Sequence, residues 1–271
     1  MMLHPAAPRA ETAQAPPARV VSINLCTDQL AMMLAAPGQL HSVSWLATDP
    51  RSSALATEAV RYKANRGLAE EIYLMQPDLV LAGNFGHRAT LDMLRRLDIP
   101  VVTFPAAQSI SEIPSLIARM GEALGRQKRA AEMTAAFDRR LAALRAEVVE
   151  RPSAALYFAS GYTSGDASLA GEILLAAGFE NIAAEAGYPL GGFMPLEVLA
   201  MAAPEAVISS RPYPRASRAE AMLDHPVVQA LRVSRAQGSF TDRDWMCGTP
   251  HVLDAVARLG GLRQAMEARR E

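Results

Sequence analysis

The side chains that could do chemistry in this chain are aromatic and polar groups at the tips of loops, rather than a nucleophile beside a base. No G-x-S-x-G, Walker-type or G-x-G-x-x-G pattern follows any run that reads as a strand. Five histidines (His4, His41, His87, His225, His251) are scattered without metal-ligand spacing. His87 stands apart, because "GNFGHR" lies just past the end of an aliphatic run. Cys26 and Cys247 are too few for a disulfide framework. A metal pair or one long bridge is the alternative for them, and two buried free thiols are the expectation.

What remains is binding chemistry. In open parallel sheets, ligands bind in the crevice outside the carboxyl ends of the strands. The loops that fall there carry Asn24, Cys26, Trp45, Asn84, Phe85 and His87 in the first half of the chain. In the second half they carry Tyr162, Arg211, Tyr213 and Trp245, and Tyr188 and Phe193 of a Gly-rich loop extend the set. Both tryptophans belong to this group in a chain that is only 6% aromatic. Rings at loop tips offer large, rigid contact area with a polar handle, so the set predicts a ligand cleft. Neither a bound metal nor a cofactor is expected.

The elements that must position these loops alternate between strand and helix. "RVVSIN" reads as a buried strand, followed by a helix capped at Thr27 or Asp28 and stopped by "PG". "HSVSW" is a second strand, "LVLAG" a third and "IPVVTF" a fourth, with helices between them. A helix ended by Gly125 closes this half. Residues 126–150 contain neither Gly nor Pro, and Met133, Phe137, Leu141, Leu144 and Val148 make an apolar stripe at helical spacing. That helix reads as a rigid connector. After Pro152 the alternation restarts with "AALYFAS", "ASLAGEILLAAG" and "AVISS". The expected fold is α/β: two Rossmann-like lobes with parallel sheets, residues 19–125 and 151–271, joined by one long helix over 126–150.

Bulk properties narrow the classes further. A formal net charge of −1 over 271 residues advertises neither nucleic acid nor an anionic membrane. No apolar run approaches the roughly 18 residues of a spanning helix. Residues 1–18 are rich in Ala and Pro and read as a disordered leader without the features of a secretory signal.

One sentence is written twice. "EEIYLMQPDLVLAG" (70–83) and "EVLAMAAPEAVISS" (197–210) both open on glutamate, reach proline at the eighth position, continue with an acid and finish in an aliphatic run. Proline ends the helix in each, and the aliphatic run is a buried strand. In this order, "RVVSIN", "AEEIYLMQPDLVLAG", "YTSGDASLAGEILLAAGFENIA", "PLEVLAMAAPEAVI" and "TDRDWMCGTPHVLDAVARL" resemble the periplasmic substrate-binding proteins of ABC importers for iron-siderophores, haem and cobalamin, over about residues 19–265. The resemblance is greatest to the cobalamin-binding kind.

The resemblance implies a monomeric, non-enzymatic receptor in the periplasm. It would hold a metal chelate (ferric siderophore, corrinoid or haem) between its lobes and pass it to an ABC permease dimer in the inner membrane. It also implies that Glu70 and Glu197 dock onto arginines of that permease, with Glu71 the competitor to Glu70. The opposing expectation is an intracellular α/β enzyme with its active site in the same cleft.

Overall fold

The computed structural model describes residues 15–145, 150–210, 223, 225–234 and 236–270. The N-terminal lobe runs β1 (Val20–Ser22), α1 (Leu25–Leu34), β2 (Leu40–Ser44), α2 (Ala56–Ala59), β3 (Lys63–Asn65), α3 (Ala69–Leu74), β4 (Leu79–Gly83), α4 (Arg88–Arg96), β5 (Val101–Phe104) and α5 (Ile113–Leu124). Then α6 (Gln127–Leu144) passes to the other lobe. There the order is β6 (Ser153–Leu156), β7 (Tyr162–Thr163), α7 (Leu169–Ala176), β8 (Glu180–Asn181), α8 (Ile182–Glu185) and β9 (Gly192–Phe193). It closes with α9 (Leu196–Ala202), β10 (Ala206–Ser209), α10 (Pro226–Ser234), β11 (Ala236–Ser239), α11 (Asp242–Trp245) and α12 (Val252–Glu267).

Both main sheets are parallel. The first has strand order β3-β2-β1-β4-β5 and the second β11-β10-β6-β8. In each sheet the strand order reverses beside the lobe's first strand, which places a crevice outside β1/β4 in one lobe and β6/β10 in the other. A small antiparallel pair, β7 with β9, sets Tyr162 opposite Phe193.

The doubled sentence occupies equivalent places in the two lobes. Each copy is a short helix (α3, α9), a residue with left-handed backbone before the proline (Gln76 at φ 49°, Ala203 at φ 43°), and a strand beside the lobe's first strand. The acid after each proline has a job of its own. Asp78 accepts the backbone N–H groups of Ala18 and Arg19 at 2.6 and 2.8 Å, just before β1. Glu205 accepts the N–H of Ser153 at 3.2 Å, at the start of β6, and pairs with Arg270. Each lobe is thus tied to its own entry strand by a carboxylate.

Several expectations change at the level of elements. The cap of α1 is Asn24, whose side chain accepts from the N–H groups of Cys26 and Thr27, so the helix starts before Thr27 and Asp28. Helical structure in the connector stops at Leu144, where Arg145 turns extended (ψ 95°), and Val148 lies outside the described residues. The leader is tied down at its end: Pro17 accepts from the Gln39 side chain and Ala18 donates to Asp78, while residues 1–14 lie outside the described residues. The polar stretch before Gly67 holds a three-residue edge strand, β3, and β8 and β9 are two-residue additions.

The lobes share a core. One contiguous buried cluster includes Leu30 and Leu116 of the first lobe, Phe137 of α6, and Ile173 and Leu253 of the second. Across the same seam, Arg140 of α6 pairs with Asp254 of α12 at 2.6 Å, and the N–H of Ile110 donates to Glu172 of α7 at 2.6 Å. Burial pushes the Asp254 carboxyl up, but hydrogen bonds and charge from Arg140 and His251 outweigh it and hold the group below the ordinary range.

Candidate functional site

The segments after β1, β2 and β5 meet the segment after β11 across the seam, through Cys26 with Cys247, Arg51 with Arg243 and Ala107 with Gly248. Asn24 is half-buried, and its side-chain oxygen is spent on capping α1. Asn84 and Phe85, after β4, are exposed, Phe85 by 80%. Trp45 follows β2 directly and is 55% exposed at the start of a 3-10 turn. On the facing lobe, Tyr162 stands edge-on to Phe193 with ring centroids 5.7 Å apart, and Phe193 is 70% exposed. Trp45, Phe85 and Phe193 are thus more than half exposed, while Tyr162 is partly buried against the core.

Trp245 is placed differently from the other rings. It stacks on Phe158 at 6.0 Å, which stacks on Phe240 at 6.4 Å, and its indole N–H is buried without a protein partner. Most of its surface is therefore packing. His87 holds a left-handed backbone (φ 49°) ahead of α4, with its ring against Gly67. Arg211 and Tyr213 lie outside the described residues.

Cys26 and Cys247 correct the expectation of two free thiols. They form a disulfide, and their Cα atoms are 5.0 Å apart. Neither spacing nor composition points to this pairing, because it needs two loops 221 residues apart to be brought together by the fold.

Just inside these loops, Asp28 is fully buried in the first turn of α1. The hydroxyl and N–H of Ser44 both donate to it. Burial pushes its pKa up to about 6, with the Ser22 and Ser44 hydrogen bonds opposing the rise. Burial likewise pushes the Tyr157 hydroxyl up, helped by the nearby charge of Glu197.

The two glutamates at the heads of the doubled sentence are exposed, and neither has a hydrogen-bond or ion-pair partner among the described residues. Glu71 differs, because it accepts the N–H of Arg66 at 2.7 Å. Helices that feed parallel strands start at the strands' carboxyl side, so Glu70 and Glu197 stand on the same side of the molecule as the crevice. Among the described residues no group of three or more His, Cys, Asp or Glu side chains is placed to hold a metal ion.

Comparison with known proteins agrees with this architecture. The family model described as "Periplasmic binding protein" matches residues 20–236. A cobalamin-binding protein of Halobacterium salinarum (strain ATCC 29341 / DSM 671 / R1) is 31% identical over 178 residues, covering 64% of this chain and 48% of that protein. The chain thus spans about half the length of the curated relatives it matches. Among solved structures, the periplasmic haem-binding protein RhuT from Roseiflexus sp. RS-1 superposes with a TM-score of 0.73 at 21% identity, covering 91% of this chain and 99% of that one. The vitamin B12 binding protein BtuF of Vibrio cholerae gives 0.68 at 18% identity, covering 93% and 98%.

Proposed function

Because the chain belongs to the periplasmic binding protein family, whose place is the periplasm and whose work is binding rather than catalysis, we propose that it is the receptor of an ABC importer for a metal chelate. The observation that carries this is the exposed rings carried by both lobes, Trp45 and Phe85 on the first and Phe193, edge-on to the half-buried Tyr162, on the second. Such rings suit the broad apolar faces of a tetrapyrrole-like macrocycle, with amide groups such as Asn84 setting its orientation.

The ligand class that fits first is a corrinoid, supported by the curated relatives, with ferric siderophores and haem as the competing chelates. The receptor works as a monomer and hands its ligand to a two-fold permease in the inner membrane. Glu70 and Glu197 are its docking groups, because an exposed carboxylate on each lobe matches the planar fork of an arginine on each half of the partner.

Isothermal titration of the purified protein with cyanocobalamin, haemin and a ferric hydroxamate tests the reading. Saturable one-to-one binding of cyanocobalamin is expected. Heat signals indistinguishable from dilution for all three would overturn it.

A further inference from the structure

The Cys26–Cys247 bond joins the first turn of α1 in one lobe to the segment between α11 and α12 in the other. The lobes touch at two more points beside it. The N–H of Arg243 donates to the carbonyl of Arg51 at 2.9 Å. A Cβ on Gly248 would stand 2.3 Å from that of Ala107, so only glycine permits this approach. Cys247 is buried and Cys26 is partly exposed, so one side of the bond reaches solvent. Beside it lies a cavity of about 60 Å³, lined by Cys26 together with Asn84, Phe85, Phe104, Leu116 and Gly248. Sites for drug-sized ligands occupy about 300–1,000 Å³, so a chelate does not fit within this cavity and needs the open space beyond Phe85 and the bond.

Resting on the reading that a chelate binds between the lobes, we propose that the disulfide is the floor of the ligand site. The ligand is seated on its solvent side, against Trp45, Phe85, Tyr162 and Phe193. The bond also fixes how wide the site stands. The chain crosses between the lobes once through α6, and the disulfide crosses again elsewhere. The shared core and the Arg140–Asp254 pair hold the seam on one side, and the disulfide adds a covalent tie beside the Arg243–Arg51 contact. The width of the cleft is therefore set before the ligand arrives, which removes an ordering cost from binding.

The test compares bonded and unbonded protein. The unbonded forms are Cys26→Ser with Cys247→Ser, and the wild type treated with a phosphine. The phosphine returns two thiols, water supplying their protons and the oxygen of the phosphine oxide. Should the double variant not fold, the reduced wild type makes the same comparison. A non-reducing peptide map of untreated protein is expected to show the two cysteine peptides linked. Solution scattering is expected to give a larger radius of gyration for the unbonded forms.

With cyanocobalamin as the probe, the dissociation constant is expected to rise about tenfold in the unbonded forms, as when about a tenth of the molecules hold the competent width. Full alkylation of both cysteines in untreated protein, identical scattering curves, or equal affinities would each overturn the proposal. Scattering needs no ligand. An absence of binding of cyanocobalamin, haemin and the ferric hydroxamate in every form would therefore sink the reading on which the floor rests, while the scattering curves still decide whether the bond fixes the lobes.

Discussion

At Glu70 and Glu197 the question is why a carboxylate repeats where the fold asks for none. A first-turn acid complements the helix dipole by about 0.3–1 kcal/mol, but Glu71 and Asp78 show what a structurally employed acid looks like: each accepts backbone N–H groups. Glu70 and Glu197 accept none among the described residues and face solvent. Glu70→Arg with Glu197→Arg is expected to abolish uptake in a transport assay while leaving ligand affinity within twofold; unchanged uptake would remove the docking role. The sequence made Glu70 and Glu71 equivalent, and only the Arg66 hydrogen bond separates them.

Asp28 gives a second residue-level expectation. Its folded pKa of about 6 lies above the ordinary 3.8, so the protonated form stabilises the fold below about pH 4, and that contribution is lost as pH rises through 6. The loss is on the order of 2–3 kcal/mol. Asp28→Asn should flatten the pH dependence of the melting temperature between pH 4 and 6 and raise it at pH 7. A variant that keeps the wild-type pH profile would show that Asp28 is ordinarily ionised.

Among the elements, those with a long apolar period were legible and the short ones were not. The stripe of Met133, Phe137, Leu141 and Leu144 announces α6, and the Val/Ile/Leu runs announce the strands at the centre of each sheet. Edge strands such as β3 and β8 hold two or three residues, too few to show any period. The close pairing of α5 with α6 was also hidden, because it depends on Gly121. A Cβ there would stand 2.4 Å from that of Ala130, so the small residue lets two helices touch along their backbones. Gly121→Ala is expected to cost about 1–3 kcal/mol through overpacking. Urea unfolding would show it as a lower midpoint with an unchanged slope; a variant as stable as wild type would mean that the pair yields easily. Tyr162 and Phe193, expected in loops, pair across the short strands β7 and β9, and the different placement of the two tryptophans was not legible. Trp45 and Trp245 look alike in sequence, and only the Phe158 stack draws one of them inward.

For the whole molecule, the shared core, the Arg140–Asp254 pair and the disulfide all act against wide hinging. Ligand-free and ligand-bound crystal structures are expected to superpose with only a modest change of lobe angle, and a rotation of tens of degrees would contradict the double crossing. A bridge between residues so far apart in sequence also removes much of the freedom of the unfolded chain, up to about 5 kcal/mol in the chain-entropy account. The two tryptophans turn this architecture into an optical instrument. Trp45 is bathed in water, so its emission should be red and open to iodide. Trp245 is clasped by Phe158 two residues from a disulfide, a strong quencher at contact, so its emission should be blue, shielded and dim. Occupancy of the cleft would alter one colour and breakage of the bond would brighten the other, with no label added.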